Sequence, residues 1–139
     1  MADILAQYRR ELVDRDEARK KLQSVEAAPS LSGDEAAHEK KLSRHRSDVA
    51  KVEDTIRKLR DSMRREAAEQ GESAVAARKA IADLEELHAA GKAGEASYRT
   101  GMYRLRRRIA EAETTATLLE RASAAESAGE VRALESAVT

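Results

Sequence analysis

The stretch Asp34–Ala90, DEAAHEKKLSRHRSDVAKVEDTIRKLRDSMRREAAEQGESAVAARKAIADLEELHAA, decides the fold. Its core positions recur at steps of three and four: Leu42, His45, Val49, Val52, Ile56, Leu59 and Met63. After a slip they resume as Ala67, Ala74, Ala77, Ile81 and Leu84. Such spacing draws one narrow stripe along a helix, and that stripe needs other helices to cover it. The expected fold class is therefore all-α: an elongated antiparallel coiled coil in which one long central helix is covered by an N-terminal and a C-terminal helix.

The flanking segments supply the covers. A first helix over about 3–27 carries Leu5, Tyr8, Leu12, Leu22 and Val25 on one face, with Arg15 and Arg19 in the middle of the same seam. The expectation for these two is a partly exposed seam edge, stems on the seam and charges in water; a polar device that fixes register is the sharper alternative. Pro29 ends this helix, and Ser32 with Glu35 three residues later reads as a capping box. The central helix spans about 35–90 and turns at Gly91. A third helix over about 95–127 has the cleanest repeat: Tyr98, Met102, Leu105, Ile109, Ala112, Ala116 and Leu119. Gly129 is expected to end it, leaving a short mobile tail, 128–139, which is otherwise a small amphipathic helix bearing Val131, Leu134 and Val138.

Gly71 is the one serious interruption of the central run. An up-down four-helix bundle with a turn at Gly71 is the alternative architecture. Length favours continuity. At ~1.5 Å per residue the central run is ~84 Å, and the outer helices, ~38 and ~50 Å, cover it end to end. Folding back about residue 31 sets Leu22 near Lys40 and Leu5 near Arg57, and folding back about 92–93 sets Leu105 near Ala80 and Leu119 near Glu66. The two covers meet around 58–63, where Leu59, Met63 and Ala67 are spaced four and four, a stutter in the heptad.

Composition narrows the function classes. Of 139 residues, 37% are charged and 2% aromatic, with no Phe, Trp or Cys, which suits long helices in one domain rather than a compact enzyme. So thin a seam favours self-association. The 26 basic and 26 acidic residues cancel and are interspersed, whereas a dedicated nucleic-acid binder carries a basic excess. Without cysteine there is no disulfide framework or thiolate chemistry, in keeping with a reducing cytoplasm. The first residues, MADILAQYRRELVDRDE, meet charge too early for a signal peptide, and no apolar window is long enough to span a membrane. Arg outnumbers Lys 18 to 8 and Ala is abundant, which hints at a GC-rich prokaryotic source.

No catalytic motif is present: no G-x-S-x-G, no phosphate-binding glycine loop, no H-E-x-x-H. Glu35-x-x-His38 and Glu85-x-x-His88 each place a carboxylate and an imidazole one helical turn apart, as di-iron bundles do, but at opposite ends of one helix. No metal or cofactor site is expected. His45, at a core position, is a candidate polar or pH-sensitive seam residue. Arg99, Arg104, Arg106, Arg107 and Arg108 form a basic cluster, and the last four are candidate anion contacts. Asp83, Glu85 and Glu86 are expected to face this cluster near Arg99 and Met102.

The expected function is non-enzymatic: self-association, most simply as a homodimer through the exposed side of the central helix, and protein–protein interaction as an adaptor, scaffold or assembly or secretion partner. The seam that would carry it comprises Leu42, Val49, Val52, Ile56, Leu59, Met63, Ile81, Leu84, Tyr98, Met102, Leu105, Ile109 and Leu119. The rival is a helical protein associated with nucleic acid through the arginine cluster.

Overall fold

A computed structural model of the chain describes residues 1–28 and 34–138. They form four helices: α1 (Ala2–Ala27), α2 (Glu35–Ala89), α3 (Glu95–Ala124) and α4 (Ala128–Val138). The expected Pro29 stop and the Ser32 half of the capping box lie outside the described residues. At 55 residues α2 is ~83 Å long and passes through Gly71 without a turn. The architecture is the expected central helix with a cover on each half, α1 packing on α2 and α3 packing on α2. The fourth helix comes from the C-terminal segment and not from a break at Gly71.

The α2–α3 turn is built as the sequence requires. Gly91 takes φ 71°, a left-handed conformation that costs a glycine nothing. Its N–H donates to the His88 carbonyl at 3.0 Å, and the Lys92 N–H donates to the Leu87 carbonyl at 2.9 Å. These two bonds make the Schellman motif, which satisfies the last carbonyls of α2. The return register is also as expected: a Cβ on Gly101 would come within 2.8 Å of Leu84, so the two helices approach closely there.

The α1 register differs. Tyr8 meets Arg60 and Arg19 meets Glu53, at 2.9 and 3.0 Å. Those pairs lie six or more residues further along α2 than folding back about residue 31 would place them. The shift carries the start of α1 past Met63. There Leu5, Tyr8 and Leu12 share one core cluster with Ile56, Met63 and Ala67 of α2 and Leu118, Leu119 and Ala122 of α3. The covers therefore overlap at the stutter as well as meeting there.

The tail corrects another expectation. Helix α3 ends at Ala124, earlier than 127, because Ala125 turns extended. The chain then re-enters a helix, and Gly129 sits in its first turn instead of ending α3. Ser127 accepts the Glu130 N–H at 3.2 Å, and Glu130 accepts the Glu126 N–H at 3.1 Å. This is a capping-box arrangement moved back by one residue on the carboxylate side. Helix α4 packs on both α1 and α3. Its Val131 is fully buried, so the expected mobile tail is instead a lid on the overlap.

Candidate interaction surfaces

A polar clasp holds the overlap. The Tyr8 hydroxyl donates to the Ala125 carbonyl at 2.7 Å and accepts from Arg60 Nε at 2.9 Å. Arg60 also reaches the Glu126 carboxylate at 3.3 Å. From the other side, Arg15 donates to the Glu126 carbonyl at 2.6 Å and to its carboxylate at 3.3 Å. The nearby charge of Arg60, then the hydrogen bond from Arg15, hold the Glu126 carboxyl below the usual carboxylate range against an opposing effect of burial. Four helices thus converge on one α3–α4 corner.

Arg15 departs from the expectation of an exposed seam edge: it is only 6% exposed. Burial of a guanidinium is tolerated where carbonyl and carboxylate acceptors meet its fork, although its Nε is left with no partner among the described residues. Arg19 does behave as expected, an exposed residue paired with Glu53. A second ion pair, Arg9 with Glu135, ties α1 to α4. Sequence spacing singled out Arg15 but gave no sign of Glu126 as its partner, because the pair is 111 residues apart.

The expected seam divides by depth. Leu42, Ile56, Met63, Met102 and Leu119 are buried, whereas Val49, Val52, Leu59, Ile81, Leu84, Tyr98, Leu105 and Ile109 are only half-buried. The arms bury Leu42, Ala74, Ala77 and Met102 at their centre, and Val52 and Leu59 are only partly covered even beside the overlap core. His45 is half-buried between Leu42 and Val49 and makes no hydrogen bond or ion pair among the described residues.

At the arm tip, His88 stacks on Tyr98 with ring centroids 3.8 Å apart and bonds Glu95 at 3.0 Å. His88 is thereby engaged with α3, while Glu35 and His38 lie at the far end of α2. No three His, Asp or Glu side chains converge among the described residues.

The arginine cluster does not form one face. At 100° per residue, Arg99, Arg106 and Arg107 fall on one side of α3 with Tyr103, and Arg104 and Arg108 fall on the other. The first group lines an open groove of ≈ 620 Å³ together with Tyr98, Met102 and Tyr103. Arg99 pairs with Glu95 and Arg107 with Glu111, both within α3. Asp83, Glu85 and Glu86 stand near the level of Arg99 and Met102 as expected, with Leu84 beside Gly101, but make no ion pair with these arginines among the described residues. No described helix is long and apolar enough to cross a membrane. Comparison of the chain with protein-family models, curated proteins and solved structures finds no match.

Proposed function

We propose that this chain is a non-enzymatic coiled-coil protein that self-associates and docks partner proteins by helix-face recognition, as an adaptor, scaffold or assembly partner. The observation that carries this reading is the row of apolar side chains left half-open along the two-helix arms. Two helices bury Leu42, Ala74, Ala77 and Met102 but not the whole seam, and Val49, Ile81, Leu84, Tyr98, Leu105 and Ile109 keep part of their apolar surface in water. Covering such surface is worth ~25 cal/mol per Å², and a further helix against either arm would do it. A homodimer is the simplest source of that helix. A reducing, prokaryotic cytoplasm is the setting that suits a cysteine-free, arginine-rich chain. Light scattering coupled to size exclusion tests the reading across a wide concentration range. A mass above one chain, falling on dilution, is expected; a monomer at every concentration would refute self-association.

One observation favours a second reading. Tyr103 is 65% exposed and stands among Arg99, Arg106 and Arg107 in the open groove. An aromatic ring beside guanidinium groups can stack a base while the cations meet phosphates. Zero net charge weighs against it. Fluorescence anisotropy with labelled single-stranded DNA distinguishes the two: salt-sensitive binding lost in Tyr103→Ala supports nucleic acid, and no binding at low salt removes it.

A further inference from the structure

The ion pair between Arg78 and Glu113 bridges α2 and α3 along one flank of their arm. Val75 and Ala82 stand three and four residues from Arg78, so they share that flank, and Ala89 follows seven residues later. On α3, Ala110 stands three residues before Glu113 and Tyr103 seven before Ala110. All five side chains are exposed. Val75 and Tyr103, at 64% and 65%, are the most exposed large hydrophobic side chains among the described residues. Heptad spacing on both helices of one arm makes a second seam that no described helix covers.

The same column runs beside another helix further down, though Thr117 itself is exposed. Thr117 is the next seven-residue step after Tyr103 and Ala110, and it lines the cleft between α3 and α4 with Leu134 and Val138. Helix α4 stops at Val138. Helix α4 therefore borders this flank of α3 below Glu113, and no described helix borders it above.

Charge selects the occupant. The α2 side carries Glu85 and Glu86, neither in an ion pair among the described residues, while the α3 side carries Arg99, Arg106 and Arg107. Arg99 and Arg107 pair with acids of their own helix, Arg107 also engages Tyr103, and Arg106 makes no ion pair among the described residues. A two-fold axis along the arm would lay α2 of each copy on α3 of the other, acid against base, twice over. Axial register is preserved by such an axis. Leu84 level with Gly101 sets Val75 level with Ala110, Ala82 with Tyr103 and Glu85 with Arg99. Each therefore meets its opposite number across the axis.

We infer that this flank is a dimer surface and that its occupant is a second copy of this chain, the Val75–Ala89 strip of each seated on the Tyr103–Ala110 strip of the other. The inference rests on the self-association reading and specifies its surface. Because the chain has no cysteine, the test is clean. Val75→Cys chains mixed with Ala110→Cys chains should give a disulfide-linked dimer under mild oxidation. Either alone should not, since like helices lie diagonally, beyond the ~7 Å Cα limit for a disulfide. In sedimentation equilibrium, the double variant Val75→Glu/Tyr103→Glu should keep wild-type helicity and dissociate at a concentration at least about tenfold higher. A wild-type dimer that the double variant leaves intact, with no mixed cross-link, overturns this surface and leaves self-association standing. A wild-type monomer overturns both.

Discussion

Removing one oxygen atom at the overlap should have an outsized effect. Tyr8 is fully buried, and its hydroxyl is the shared point between the Ala125 carbonyl and Arg60. In Tyr8→Phe, Ala125 keeps only a long contact of 3.4 Å from Arg60. A neutral hydrogen bond is worth ~1 kcal/mol net and one to a charged group ~1.5–3 kcal/mol. Arg60 is 24% exposed and retains Glu126, so water replaces part of the charged bond. The expected loss is ~2 kcal/mol. With unfolding entropy of ~2.1 cal/mol/K per residue, the 139 residues give a fall in Tm of ~7 °C. The assay is thermal unfolding followed by circular dichroism at fixed protein concentration, which controls for any association. Tyr103→Phe, at an exposed ring, is the control and should leave Tm within ~1 °C. A Tyr8→Phe loss below ~0.5 kcal/mol would show that the clasp does not hold the overlap.

Three further outcomes follow from the same structure. A Cβ at Gly71 meets nothing within 4 Å, so Gly71→Ala should stabilise the chain by ~0.5–1 kcal/mol in chemical denaturation, whereas destabilisation would mean a turn there. Met63 is fully buried where the covers overlap, and Met63→Ala should cost ~2–5 kcal/mol, with a loss under ~1 kcal/mol counting against the shared core. The Glu126 carboxyl titrates below its unfolded value, so its contribution is present above the unfolded pKa, about 4.3, and is lost as pH falls through the folded one. Tm should therefore hold from neutral pH to about pH 5 and fall below it. Glu126→Gln should soften that acid limb, and an unchanged acid limb would rule out the pair as its source; as Glu126 is 66% exposed, the effect is small and screened by salt.

What could be read from the residues depended on the distance over which they act. The α2 stripe, the Gly91 turn and the α3 heptad are local periodicities, and each appears in the structure where spacing put it. The axial position of α1 is not a local property. Any whole-turn slide keeps Leu5, Tyr8 and Leu12 on the seam, and the choice falls to Tyr8 finding Arg60 and the Ala125 carbonyl. Helix α4 was legible in part. Val131, Leu134 and Val138 mark its face, and Ser127 with Glu130 is a start signal overlooked beside the more obvious Gly129. Leu118 shows the same limit: off the Tyr98–Leu119 stripe by one residue, it is buried at 4% exposure in the overlap core. The second seam was overlooked for the opposite reason. Ala82, Ala89 and Ala110 are too common in this chain to stand out until Val75 and Tyr103 are known to be bare.

The lid has a consequence for how the chain acquires its structure. Tyr8 and Ala125 are 117 residues apart, and Arg9 and Glu135 are 126 apart. The α2–α3 arm is a hairpin closed by a short turn, whose contacts cost little loop entropy, so it can form early. The overlap has no such shortcut, because it needs the first and last segments of the described chain at once. Assembly should therefore run outward-in, arms first and middle last. Loosening either terminus should then release the other, so that amides of α1 near Tyr8 and of α4 near Val131 exchange with solvent as one cooperative unit.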